Sequence, residues 1–118
     1  MEGFEKIRID DVFIISVNPT RATVNEAIAF KKIAKEDIDS GHTKLVIDLS
    51  KCDYIDSTFF GAIIVFSRML IDIGFKLKVV KPSIAGEFLF SNPNTDKLFD
   101  KYKTREEAIL SFEEDIQP

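Results

Sequence analysis

A continuous apolar run at residues 45–49, broken by a single aspartate, constrains the fold of this chain more than any other feature. A strand on a sheet surface alternates apolar and polar residues, whereas a strand covered on both faces is apolar almost throughout. The run therefore predicts a central strand with helices on both sides of its sheet. Such an arrangement is typical of α/β proteins, in which helical crossovers join parallel strands.

Strand-like and helix-like segments alternate along the rest of the chain. We predict strands at residues 7–9, 12–17, 75–79 and 98–102, the first two joined by a turn at Asp10 and Asp11. Helices are predicted at residues 23–40, 57–73 and 83–90 and from residue 104 onward, with a loop at 92–96. The order is β-β-α-β-α-β-α-β-α, a mixed and mostly parallel sheet packed by about four helices.

Short motifs support the helix boundaries. Thr23 with Glu26, and Thr104 with Glu107, have the spacing of a capping box, and Gly41 stands where a glycine ends a helix. The second helix has one core face, formed by Phe59, Ala62, Ile63, Phe66, Leu70 and Ile73. A second apolar stripe, formed by Phe60, Ile64 and Ile71, is either covered by another element or exposed as a protein interface.

Length and charge narrow the class of protein. The 118 residues fit one domain, with residues 113–118 expected to fray. The net charge of −4 argues against a nucleic-acid partner, and one cysteine excludes an internal disulfide. The longest apolar stretch, residues 59–73, is interrupted by polar side chains and is too short for a bilayer span. We expect a cytoplasmic protein with no membrane partner.

The most informative segment runs from the central strand through a loop into the second helix, at residues 48–61. Ligands and partners of open α/β sheets gather at the carboxyl ends of strands. A helix that begins there presents free backbone N–H groups and a partial positive charge. Either Asp56 or Ser57 is the N-cap, so ordinary helix capping competes with a functional role for the Ser57 hydroxyl.

This segment resembles the signature of the STAS domain family, and within it the bacterial anti-sigma factor antagonists. The strand ends in Asp48-Leu49-Ser50, the turn is Asp56-Ser57-Thr58, and Gly61 lies early in the helix. The element order and the start of the last helix at residues 104–108 resemble the family as well. The resemblance covers almost the whole chain and implies a single STAS-like α/β domain over residues 1–118.

The resemblance implies a non-enzymatic phosphorylation switch without a cofactor or a metal. Ser57 would be the phosphoacceptor, and Asp56 would cap the helix and orient the hydroxyl. The partners would be an anti-sigma factor with serine kinase activity, which the unphosphorylated protein sequesters to free a sigma factor, and a phosphatase that acts on phosphorylated Ser57. Partner contacts are expected at Tyr54, Thr58, Phe60, Ile64, Arg68 and Thr20.

The chain departs from the family pattern at two positions beside Ser57. Many members have a glycine two residues after the serine, where this chain has Phe59. An acidic residue is common in the loop before the first helix, where this chain has Thr20. These departures bear on the choice of partner and on phosphorylation more than on the fold.

Two other functions fit the same residues. A STAS module that senses a nucleotide or another small anion would use the same helix N-terminus. A serine hydrolase would need a base near Ser57, and the sole histidine, His42, is predicted in a loop. Cys52 has no cationic neighbour in sequence, so we interpret it as a partly buried packing residue rather than a nucleophile.

Overall fold

The chain folds around a five-stranded mixed sheet. A computed structural model describes residues 3–19, 21–82 and 87–115. Within these ranges the strands are β1 (Phe4–Ile9), β2 (Val12–Val17), β3 (Arg21–Ala22), β4 (Leu45–Asp48), β5 (Tyr54–Ile55), β6 (Leu77–Val80) and β7 (Phe99–Tyr102). The main sheet has the order β1-β2-β4-β6-β7, and β3 and β5 form a separate two-stranded pair.

The connections confirm the predicted α/β class. β1 and β2 form an antiparallel hairpin with Phe4 opposite Val17, and Asp10 in the turn has a φ of 56°. The pairs β2–β4, β4–β6 and β6–β7 are all parallel. Parallel neighbours require crossovers, which the helices supply. Among the strands of the described residues, the prediction lacked only the two-residue strands β3 and β5.

The described residues contain four α-helices, and three of them are long. The helices are α1 (Val24–Asp39), α2 (Ser57–Asp72), α3 (Glu87–Phe90) and α4 (Arg105–Asp115). The short α3 is the last turn of the helix predicted at 83–90, whose first four residues lie outside the described ranges. Of the predicted frayed tail at 113–118, residues 113–115 belong to α4 and the rest lie outside those ranges.

One predicted loop is wrong. Residues 92–96 were expected to be irregular, but Pro93–Lys97 forms a 3-10 helix. Asn92 caps it, because the Asn92 side-chain oxygen accepts a hydrogen bond from the Asn94 N–H at 3.0 Å. Pro93 suits the first turn of a helix, where its missing N–H leaves no bond unmade.

Two clusters of buried side chains cover the two faces of the sheet. Leu45 and Ile47 of β4 belong to the larger cluster, which contains the inner faces of α1 and α2. Val46 points to the other face and packs in a cluster with Ala108 and Phe112 of α4. β4 is buried along its whole length, which confirms the prediction of a central strand covered on both sides.

The predicted boundaries of α1 are confirmed by its hydrogen bonds. The Thr23 N–H and the Thr23 hydroxyl both donate to Glu26 Oε1, at 2.8 and 2.9 Å. At the other end Gly41 has a φ of 83°, and the His42 N–H donates to the Asp37 carbonyl at 2.9 Å. A left-handed glycine closing the helix in this way lets the chain turn directly into β4.

The two apolar stripes of α2 have different surroundings. Its core face is buried as predicted except for Ile73, which is 48% exposed because the helix ends at Asp72. In the second stripe, Phe60 and Ile64 are partly buried and pack against the core, whereas Ile71 is exposed. The Phe60 ring lies edge-on to the Phe90 ring, with 5.1 Å between centroids. Another element of the fold therefore covers most of this stripe.

Candidate functional site

The candidate site lies at the carboxyl ends of β2 and β4, where the following loops are joined by a short parallel pair. Arg21 pairs with Tyr54, and Ala22 pairs with Ile55. The Asp56 N–H then donates to the Ala22 carbonyl at 3.1 Å. Ala22 and Ile55 are both buried in the core. The start of α2 is thus fixed to the segment that leads into α1.

Asp56, not Ser57, is the N-cap of α2. Its Oδ1 atom accepts a hydrogen bond from the Phe59 N–H at 2.8 Å. The backbone of Asp56 is extended, as at an N-cap, and Ser57 is the first residue of the helix. The alternative left open by the sequence is resolved in favour of Asp56, so the Ser57 side chain is not needed to begin the helix.

The Ser57 side chain is exposed. Among the residues that the structure describes, its hydroxyl has no hydrogen-bond partner, and the Asp56 carboxylate does not contact it through a hydrogen bond. The cap therefore fixes the helix without fixing the orientation of the hydroxyl. A hydroxyl in this position is open to a reagent or partner that approaches from solvent.

The residues predicted as partner contacts fall into two groups. Tyr54, Thr58 and Arg68 are exposed, with Tyr54 at 43%. Phe60 and Ile64 are partly buried against the core, so they support α2 as well as offering surface. The remaining candidate, Thr20, lies outside the described residues.

Phe59, where this chain departs from the family pattern, packs in the core. Its side chain is fully buried. Its ring centroid lies 5.3 Å from that of Phe30 on α1. The aromatic side chain thus strengthens the contact between α1 and α2 beneath the site and does not change the exposed surface around Ser57.

Arg21 is a site residue that the sequence analysis missed. Its guanidinium carbon lies 4.4 Å from the centroid of the Tyr54 ring, within the range of a cation–π contact. Arg21 is 36 positions from Ser57 in sequence, and only the register of β3 with β5 brings the two segments together. A two-residue strand in a polar loop leaves no periodic signal from which this register can be read.

The signature aspartate at the end of β4 has a structural partner. Asp48 is almost fully buried, and its Oδ2 atom lies 2.8 Å from Nη2 of Arg105 at the start of α4. Its other oxygen, Oδ1, accepts the Ser50 N–H at 2.9 Å. The carboxylate therefore ties the strand end, the loop and the last helix together.

The other nucleophile and base candidates lie away from reactive geometry. Burial, with smaller effects from Asp48, Asp53 and Glu26, raises the pKa of the Cys52 thiol to about 12. His42 lies at the opposite end of β4, where it stacks on Phe13 and its Nδ1 lies 3.0 Å from Asp37 Oδ1. The sole histidine is therefore not placed to act as a base on Ser57.

The described residues form neither a metal-binding cluster nor a membrane-spanning helix. Across the described ranges, no group of three or more histidine, cysteine, aspartate or glutamate residues is arranged to hold a metal ion. In the same ranges, none of the helices combines the length and apolar character that a membrane span requires. The site offers the exposed Ser57 hydroxyl, the exposed Asp53 carboxylate, the half-buried Asp56 carboxylate and the N-terminus of α2.

This combination of fold and site defines a STAS domain. Residues 4–108 match the model of the STAS domain family, and the chain belongs to that family. A candidate anti-sigma factor antagonist from Thermotoga neapolitana is 28% identical over 102 residues, which cover 86% of this chain and 89% of the relative.

Solved structures agree with this assignment. The crystal structure of a candidate anti-sigma factor antagonist from Thermotoga maritima matches with a TM-score of 0.78 and 26% identity, over 93% of this chain and 94% of that chain. Phosphorylated SpoIIAA from Bacillus matches with a TM-score of 0.73 and 16% identity, over 92% of this chain and 98% of that chain. At that identity SpoIIAA shows a shared fold alone.

Proposed function

We propose that this STAS domain is an anti-sigma factor antagonist whose binding is switched by phosphorylation of Ser57. The observation that carries the proposal is the exposed Ser57 hydroxyl, which has no hydrogen-bond partner in the part of the chain that the structure describes, because Asp56 already caps α2. Relatives described as candidate anti-sigma factor antagonists support the class of function. SpoIIAA, which shares the fold, has been solved in phosphorylated form, so a domain of this fold accommodates phosphorylation.

The binding partner is an anti-sigma factor that also has serine kinase activity. It supplies the catalysis, so this chain is a substrate and a binding protein rather than an enzyme. Tyr54, Thr58 and Arg68 surround Ser57 or continue its exposed face and form the first set of contacts. A separate phosphatase removes the phosphate and restores binding. The protein acts in the cytoplasm, where sigma factors act.

A phosphate at Ser57 acts through local charge. It adds about −1.5 to −2 charges and three acceptor oxygens. The N-terminus of α2 tolerates that charge, and favours it by about 0.3–1 kcal/mol. An interface that already contains Asp53 and Asp56 does not tolerate it, because like charges brought together cost several kcal/mol. Since about 1.4 kcal/mol is a tenfold change in affinity, one phosphate is sufficient to release the partner.

The proposal is tested by affinity capture from a lysate of the source organism. The baits are wild type, Ser57→Ala and Ser57→Asp, each with ATP or ADP. Ser50→Ala is the control, since Ser50 is an exposed serine in the loop that leads towards α2. With ADP, we expect wild type, Ser57→Ala and Ser50→Ala to retain one kinase-like protein that Ser57→Asp loses. Mass spectrometry should find a phosphate on Ser57 in the wild-type and Ser50→Ala baits.

Other outcomes of these assays would contradict the proposed function or remove its alternatives. If all baits retain the same proteins and Ser57 gains no phosphate, the serine is only the first residue of a helix. The small-anion alternative is then examined by NMR titration with nucleotide, and unchanged spectra at millimolar nucleotide remove it. For the hydrolase alternative, equal esterase activity of wild type and Ser57→Ala excludes Ser57 as a nucleophile.

A further inference from the structure

The exposed face of α1 carries the most exposed large apolar side chain of the described residues. Ile28 is 67% exposed, and Val24, one turn earlier, is 51% exposed. Residues four apart lie on the same face of a helix, so the two side chains form one apolar strip. A single exposed apolar residue is ordinary on a protein surface. An apolar strip beside a candidate site indicates a surface that another molecule covers.

Cations flank this apolar strip. Lys31 and Lys32 are exposed, and among the described residues neither has an ion-pair partner, whereas Lys35 pairs with Asp39 at 2.7 Å. Lys31 follows Ile28 at the helical spacing of three, so it borders the strip directly. Arg21 lies just before α1 and is held against the Tyr54 ring. In a chain with a net charge of −4, this face is locally basic.

The strip begins beside the surface around Ser57. The pairing of Arg21 with Tyr54 places the start of α1 beside the loop that leads into α2. A partner that covers Tyr54 therefore also meets Arg21, the residue from which the chain leads into α1. This α1 strip is defined by Arg21, Val24, Ile28 and Lys31.

We infer that the α1 strip is a second docking surface for the anti-sigma partner and that it receives a segment carrying apolar side chains flanked by aspartate or glutamate. The inference rests on the proposed function. Val24 and Ile28 supply the apolar area that a partner buries, and Arg21 and Lys31 supply the rim charges that select an acidic partner. Arg21 and Lys31 attract negative charge along the α1 strip, whereas Asp53 and Asp56 lie at the Ser57 end, and this difference fixes the orientation of the partner.

Affinity measurements with a purified partner test the inference. The partner is the protein that Ser57→Ala captures and Ser57→Asp does not, and its Kd is measured by calorimetry for each variant of the full chain. We expect Ile28→Glu to bind at least tenfold more weakly, and Lys31→Glu at least threefold more weakly at low salt. Ile28→Leu, which keeps an apolar side chain, should bind within twofold of wild type.

Leu110 provides the matched control. It is 56% exposed on α4, which covers the opposite face of the sheet. Leu110→Glu makes the same chemical change away from the strip and should leave the Kd within twofold of wild type. Circular dichroism should give all variants the spectrum of wild type, because each altered side chain is exposed.

Cross-linking tests the chemistry of the partner segment. A photo-reactive amino acid at position 28 should cross-link the purified partner, and the linked peptide should contain aspartate or glutamate beside apolar residues. The same probe at position 110 should give no such product. A linked peptide without acidic residues overturns the assigned chemistry.

Several outcomes overturn the inference, and they are separable from failure of the proposed function. If Ser57→Asp loses the partner but Ile28→Glu binds within twofold of wild type, the switch remains and the α1 strip is not a docking surface. If no protein distinguishes Ser57→Ala from Ser57→Asp, both proposals fall. If wild type self-associates in sedimentation and Ile28→Glu abolishes the association, the strip binds a second copy of this chain. If wild type binds anionic phosphatidylserine vesicles, the strip is assigned to a membrane surface.

Discussion

Replacing Asp56 with alanine should destabilise the protein, whereas replacing Ser57 with alanine should not. Asp56 Oδ1 accepts the Phe59 N–H at 2.8 Å, and the side chain is half-buried. Loss of an N-cap aspartate costs about 0.5–2 kcal/mol, and the good geometry favours a value of about 1.5 kcal/mol. For a domain of this size that corresponds to a fall in Tm of about 4–8 °C.

Urea denaturation followed by circular dichroism measures the difference. Asp56→Asn keeps a side-chain oxygen at the cap and should lose less than about 1 kcal/mol. Ser57→Ala changes an exposed side chain with no internal hydrogen bond and should stay within about 0.5 kcal/mol of wild type. If Ser57→Ala proved as destabilising as Asp56→Ala, the Ser57 hydroxyl would be part of the cap, and the argument that it is free for phosphorylation would be refuted.

Four further substitutions or treatments test other parts of the structure. Phe60→Ala should cost about 1.5–2.5 kcal/mol in urea denaturation, half of a full core truncation, because the Phe60 side chain is only partly buried. Gly61→Ala should stabilise α2 by about 0.5–1 kcal/mol in the same assay, because an added Cβ meets no atom within 4 Å beyond its chain neighbours and the backbone of its own helix. The hydrogen bond from the Thr23 N–H lowers the pKa of Glu26. The ionised Glu26 carboxylate therefore stabilises the fold above its unfolded-state pKa, and this stability is lost as pH falls through the folded-state pKa. Glu26→Gln should reduce the loss of stability on acidification, measured in denaturation curves between about pH 3 and 6. Cys52, with a pKa of about 12, should resist iodoacetamide at about pH 8 until urea unfolds the chain, and rapid labelling of the native protein would contradict its burial.

Much of the fold follows from local patterns that the sequence displays openly. The capping box at Thr23 and Glu26 fixes the start of α1, and the glycine at position 41 fixes its end. The apolar run of β4 predicts its burial on both faces, because no polar face remains for solvent. These features depend on residues close in sequence, so their physical consequences are visible without the structure.

The parts that sequence patterns did not predict depend on contacts between distant segments. The β3–β5 pair joins two loops through a register that no periodicity encodes, and it places Arg21 on Tyr54. The ion pair between Asp48 and Arg105 links residues 57 positions apart. Ile73 extends the core face on a helical wheel, but the helix ends one residue earlier, and the turn carries the side chain into solvent.

These long-range contacts determine how a charge at Ser57 can act. The helix that follows is anchored by the buried Phe59, and the preceding residue is held by the bond from the Asp56 N–H to the Ala22 carbonyl. A phosphate added to an exposed side chain on such a rigid frame breaks no internal bond, since the hydroxyl makes none among the described residues. Under the proposed function, its effect therefore arises at the surface, where the partner either pairs the new charge or leaves it buried and unpaired. A switch of this kind needs no second conformation, because the change in charge and the contact that it disrupts occupy the same place.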